Sequence, residues 1–161
     1  MFVRVEVRPS SIFGKGLFLI EEVKRGKIIC SFTTDAKLIT EREYLTAIET
    51  NQSLVVRTGT RYVGRYFTCT GEPNADLNFF NHAFEPNLLC HCGIVIAIRD
   101  IRAGDELTID YRTLIDDTDI GVYKDSASGR VIKGFSACET LLRTTRQMLE
   151  LMQSLGEEWE G

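Results

Sequence analysis

Apolar and polar residues alternate through the first segment of the chain, Phe2-Val3-Arg4-Val5-Glu6-Val7-Arg8, which predicts a strand over residues 2–8 with one buried face. Pro9-Ser10-Ser11 ends it. Ile12 to Ile20 then places Gly14-Lys15-Gly16 before an apolar run, a turn feeding a second strand. After a charged turn at Glu22 to Gly26, Lys27 to Phe32 reads as a buried strand. Thr40-Glu41-Arg42-Glu43 is a capping box, so a short helix is expected to about Thr50, with Tyr44, Leu45 and Ile48 on one face. Strands follow over 53–57 and 60–67 across Thr58-Gly59. Leu88 to Cys90 and Ile94 to Ile98 form a hairpin turning near Cys92-Gly93, and Leu107 to Tyr111 is a last strand.

Residues 112–135 are rich in loop formers, with a hairpin suggested across Ser126-Ala127-Ser128-Gly129. The pattern then changes period. Ser136-Ala137-Cys138-Glu139 is a second capping box, and Leu141, Leu142, Thr145, Met148, Leu149, Met152 and Leu155 follow at helical spacing. This face is expected to dock onto the body; it is equally suited to pairing with a copy of itself, as a homodimer. Short strands dominate residues 1–111, so the chain is mainly β with a C-terminal helix. Strand and helix do not alternate regularly, and no helix follows Gly14-Lys15-Gly16, so that loop is not a dinucleotide fingerprint.

Composition narrows the picture further. At 161 residues, 43% hydrophobic and 26% charged, the chain fits one folded domain of ordinary size. A net charge of −4 gives no reason to expect direct nucleic-acid binding. The charge is uneven: residues 1–104 carry 13 Lys and Arg against 11 Asp and Glu, whereas residues 105–161 carry 6 against 12. An acidic second half suits either a solvated tail or a basic partner. No apolar run is long enough to span a membrane, and the first residues lack the apolar core of a signal peptide. Five cysteines without framework spacing fit a reducing compartment, and the cytoplasm is the expected location. Cys90-His91-Cys92 is expected to hold no metal, because neighbouring strand residues face apart and zinc needs four convergent ligands.

Candidate chemistry concentrates in Asn78-Phe79-Phe80-Asn81-His82-Ala83-Phe84-Glu85-Pro86-Asn87. A buried amide and imidazole each need partners, since an unmade hydrogen bond costs roughly 1–3 kcal/mol. A second such stretch is Gly104-Asp105-Glu106-Leu107-Thr108-Ile109-Asp110-Tyr111. Together and in order with Gly14-Lys15-Gly16-Leu17-Phe18, these two stretches resemble the SET domain of protein-lysine methyltransferases, over roughly residues 1–113; residues 114–161 would be a C-terminal extension.

The resemblance implies a β-clip-like fold of small, mostly antiparallel sheets in which the Asn-His segment and the strand carrying the final tyrosine thread as a pseudoknot. It implies methyl transfer from S-adenosylmethionine to a lysine of a basic protein or peptide substrate. The backbone at Lys15, Gly16 and Leu17, with Asn81, would hold the cofactor's amino-acid end. The main chain at Asn81-His82 would bond the adenine, and Tyr111 would touch the cofactor and act as the catalytic residue. Phe79 and Phe80 are better read as packing surface. The sequence also departs from the family pattern. Asn78 replaces a common arginine, Phe84 replaces a zinc-binding cysteine, and the usual extra channel tyrosines are absent, leaving Tyr62 and Tyr66 as unplaced candidates. The helix from Ser136 would then close the lysine channel in place of a zinc module. The alternative reading is a SET-like binding module that keeps the cofactor pocket with little or no turnover.

Overall fold

A computed structural model describes residues 1–31, 36–40, 42, 46, 60–62, 65–69, 79–115 and 123–159. Its strands are β1 (Val5–Pro9), β2 (Lys15–Leu19), β3 (Ile28–Ser31), β4 (Ala36–Ile39), β5 (Thr60–Tyr62), β6 (Arg65–Cys69), β7 (Asn81–His82), β8 (Leu88–His91), β9 (Ile94–Ala97) and β10 (Thr108–Ile109). A 3-10 turn at Tyr111–Thr113 and one long helix, α1 (Ala137–Trp159), complete the described elements.

The strands form four small sheets, ordered β1-β2, β3-β9-β8, β4-β6-β5 and β7-β10. The first three are antiparallel and the last is parallel. The chain is therefore mainly β with a C-terminal helix, as its pattern predicts. β2 is the central piece. It pairs with β1 on one side, Val5↔Leu19 through Pro9↔Lys15. On the other side the Leu107 N–H donates to the Leu17 carbonyl at 2.7 Å and the Gly104 N–H to the Leu19 carbonyl at 2.8 Å. With both edges occupied, Leu17 and Leu19 are fully buried, in one core with Ile29, Leu88, Val95, Ile101, Leu107 and Ile109.

Several boundaries differ from expectation. Gly14 alone makes the turn, at φ +49°, while Gly16 lies inside β2. The single strand expected over 60–67 is two, β5 and β6, paired antiparallel with Tyr62↔Arg65 closing the pair. β4 was not predicted. The strand expected over 107–111 is regular only at Thr108–Ile109, because the Asp110 side chain accepts from the Arg112 N–H and starts the 3-10 turn, which carries Tyr111. The expected helix after Thr40 and the strand at 53–57 lie largely outside the described residues; Arg42 and Thr46 are helical. The small hairpin near 126–129 appears as the bridge Lys124↔Val131.

α1 starts at its predicted cap, the Glu139 N–H meeting the Ser136 hydroxyl at 3.3 Å. It packs on β8 through only part of the expected face. Thr144 and Leu151 are buried and Leu141, Met148 and Leu155 half-buried, a 3-4-3-4 stripe, whereas Leu142, Leu149 and Met152 are exposed. The apolar pattern misled because a threonine occupies the seam. Its hydroxyl is satisfied by the Thr140 carbonyl and by His91, so burying it carries little penalty.

Candidate active site

The parallel pairing of β7 with β10 matches Asn81 to Thr108 and His82 to Ile109, setting two stretches distant in sequence side by side. Asn87 extends that pairing with its side chain. Its Oδ1 accepts from the Thr108 N–H at 2.9 Å, its Nδ2 donates to the Glu106 carbonyl at 2.7 Å, and its own N–H meets the Thr108 hydroxyl at 3.2 Å. A carboxamide here replaces a peptide unit, which a two-residue strand alone could not supply.

Asn81 ties this pair to the glycine loop. Its Nδ2 lies 3.2 Å from the Phe13 carbonyl, 3.1 Å from the Lys15 carbonyl and 2.6 Å from Glu106 Oε1. Glu106 in turn accepts from the Ser10 hydroxyl at 2.8 Å on each oxygen. A Cβ on Gly16 would sit 2.1 Å from Glu106 Oε1. Glycine thus leaves room for this carboxylate to cross β2 in the place where Asn81 and Ser10 hold it. The result is an acceptor-rich wall of two carbonyls and one carboxylate.

His82 is buried, and its Nδ1 accepts from the Tyr111 N–H at 3.1 Å, so the neutral ring carries its proton on Nε2. That Nε2 is buried and has no hydrogen-bond partner among the described residues. Desolvation pushes the imidazole's pKa down, against the opposing pull of Asp110. Tyr111 donates its hydroxyl to the Phe80 carbonyl at 2.5 Å. Burial, reinforced by Tyr123 and Glu106, pushes its pKa up to about 12, so it stays protonated at neutral pH. The ring leans on His82 with centroids 5.4 Å apart and meets Tyr123 edge-on at 5.8 Å.

Phe84 lies edge-on to the His82 ring at 4.5 Å, beneath the guanidinium groups of Arg112 and Arg130 at 5.0 and 5.1 Å. Phe135 lies under Arg112 and Arg143, at 5.1 and 4.3 Å. Arg112 is itself held by a two-pronged contact with Asp110. This alternating Arg–Phe ladder fastens the segment after residue 123 and the start of α1 to the Asn-His stretch, where the resemblance leads one to look for zinc. Among the described residues no group of three or more His, Cys, Asp or Glu converges as a metal site would require.

The predicted site residues fall into two groups. The main chain at Lys15 and Gly16 and the Asn81 side chain form one cluster, around Glu106, and His82 with Tyr111 forms an adjoining one. Leu17 lies within the core, its carbonyl taken by Leu107. The Tyr62 and Tyr66 side chains lie outside what is described. Sequence reasoning missed Tyr123, which no local motif marks, and Glu106, whose role shows only once Gly16 is seen packed against it.

A β2 edge completed by Gly104 to Leu107, with a parallel β7–β10 pair beside it, thus draws the three motif stretches together. The SET domain family model matches residues 14–112, most of the chain, so the chain belongs to the SET domain family. No curated protein sequence is significantly similar to it. Among solved structures, a Plasmodium falciparum protein provisionally described as a histone methyltransferase is similar at 22% identity and a TM-score of 0.45, over 69% of this chain and 95% of that one. No described helix is long and apolar enough to cross a membrane.

Proposed function

We propose that this chain transfers a methyl group from S-adenosylmethionine to a lysine side chain of a basic protein segment. The observation that carries this reading is the convergence, through Asn81, of the glycine loop, the Asn-His strand and the segment leading to Tyr111. The cofactor's chemistry fits the residues present. The Phe13 and Lys15 carbonyls and Glu106 are acceptors, each with lone-pair capacity beyond Asn81, and they favour a cationic amino-acid end. The His82 Nε2–H, without a partner among the described residues, is a buried donor in the adjoining wall. When bound, S-adenosylmethionine supplies a methyl group activated by its sulfonium.

The remaining work falls to the protein. A free lysine with a pKa near 10.4 costs roughly 4.6 kcal/mol to deprotonate at pH 7, and only the neutral amine can attack. A dry channel beside a cation lowers that cost. The Tyr111 hydroxyl, fixed on the Phe80 carbonyl, presents an oxygen that orients amine hydrogens, and alignment of the reacting atoms is mainly positioning. Tyr123, edge-on to Tyr111, supplies a second aromatic wall, and this favours turnover over a binding-only module. The acidic balance of residues 105–161 favours a lysine-rich target. Calorimetric titration with S-adenosylmethionine tests the first step. Saturable binding weakened by Asn81→Ala is expected; a chain that binds no cofactor would overturn the reading.

A further inference from the structure

The β8–β9 hairpin closes on the pair His91↔Ile94 around a two-residue turn, Cys92-Gly93, with both residues at positive φ, 52° and 81°. Such turns favour Asn or Gly at the first position. A cysteine held there sits in a conformation costing roughly 1–2 kcal/mol. The turn also overrides the alternation of strand side chains: Cys92 Sγ folds back to 3.3 Å from His91 Nε2. The expectation that residues 91 and 92 face apart therefore fails at this turn.

The imidazole is oriented from its other side. Thr144 of α1, buried against β8, gives its one hydroxyl proton to the Thr140 carbonyl at 2.9 Å. Its oxygen is left to accept from His91 Nδ1, also at 2.9 Å. In the tautomer with its proton on Nδ1, the ring turns the Nε2 lone pair toward the thiol. Burial lowers the imidazole's pKa, so it remains a free base at neutral pH. Thiol, base and orienting hydroxyl stand in the order that activates a nucleophile, and none of the three belongs to the candidate methyl-transfer site. The two buried thiols in the neighbouring core, Cys30 and Cys90, are different. Both are buried, and desolvation pushes each up to about 12.

We propose that Cys92 is a covalent modification site for small soft electrophiles, with His91 as its general base and Thr144 as the positioning residue. As the sulfur attacks an electrophilic carbon, the S–H proton passes to His91 Nε2 and the S–C bond forms. The bond to the leaving group breaks, and its electron pair departs with that group. No oxidant is required.

The test is the rate of alkylation of the full folded chain by iodoacetamide at neutral pH, resolved by peptide mass spectrometry. Exposed Cys138 is the internal reference. Cys92, although less accessible, should react at least roughly tenfold faster than Cys138, a fraction of the roughly 10²–10⁴-fold that a positioned base supplies. The advantage should vanish in denaturing urea, a comparison that needs no variant. His91→Ala should bring Cys92 to or below the Cys138 rate, with added imidazole restoring part of the loss, and Thr144→Val should give an intermediate rate. Native Cys92 reacting no faster than Cys138 would overturn the proposal. So would a His91→Ala rate that is unchanged, or one that imidazole fails to raise.

Discussion

Replacing Gly16 by alanine probes the junction of the three motifs directly. The new Cβ would lie 2.1 Å from Glu106 Oε1, 2.6 Å from its Cδ and 3.1 Å from the Ser10 Cβ. Reaching ordinary contact at about 3.4 Å means moving the carboxylate oxygen by about 1.3 Å. That oxygen is held by Asn81 at 2.6 Å and Ser10 at 2.8 Å, and such a shift breaks at least one of these bonds and strains the other. Hydrogen bonds to a charged group are worth roughly 1.5–3 kcal/mol each. Alanine returns only about 0.4–1 kcal/mol by restricting the unfolded chain. The net expectation is destabilisation by about 1–3 kcal/mol, read from urea unfolding followed by circular dichroism. In a Glu106→Ala background the obstacle is gone, and the same change should cost under ~1 kcal/mol, a coupling within the range of contacting residues. By contrast, Gly14→Ala meets nothing within 4 Å and should cost only the left-handed backbone penalty of about 1–2 kcal/mol. A neutral Gly16→Ala, or an equal cost in both backgrounds, would refute the reasoning.

Three further outcomes follow. Asn87→Ala strips partners from the Glu106 carbonyl and the Thr108 N–H and should destabilise the fold by roughly 2–4 kcal/mol in the same assay, with no clash to relieve. Tyr111→Phe keeps the ring but loses the hydroxyl on Phe80, so it should cost about 1 kcal/mol of stability and roughly 10²-fold in methyl transfer, measured by label incorporation. Burial lowers the pKa of both His82 and His91 from 6.5. The unfolded chain therefore takes up protons first, so stability is fully present above pH 6.5 and declines as pH falls below it toward the folded values. His82→Asn should flatten that decline in thermal melts across the range; an unaltered slope would contradict the burial argument.

The central strands were readable because their pattern is local: alternation in β1, the apolar run of β2 and the β8–β9 hairpin need no distant partner. Tyr111 and the Asn81-His82 pair were readable for another reason, since their order along the chain resembles a known family. What escaped was set by tertiary contact. The strand before Tyr111 gives way to a 3-10 turn because the Asp110 side chain captures the Arg112 N–H. The docking face of α1 keeps Leu141, Met148 and Leu155 of its apolar pattern but is centred on Thr144, whose hydroxyl is satisfied by His91 across the interface, a partner invisible to helical periodicity. Phe84 read only as a missing zinc ligand. In the fold it is the ring between Arg112 and Arg130, and cation–π contacts hold the extension there.

The most direct test of the proposed chemistry is methyl-lysine formation. The full chain is incubated with isotopically labelled S-adenosylmethionine and a mixture of lysine-rich peptides, and the products are mapped by mass spectrometry. Labelled methyl groups on lysine nitrogen, formed by the wild-type chain and reduced roughly 10²-fold by Tyr111→Phe, are the predicted result. Cofactor binding without any methyl-lysine, or transfer that Tyr111→Phe leaves unchanged, would contradict the assignment of Tyr111 and of lysine methylation to this site.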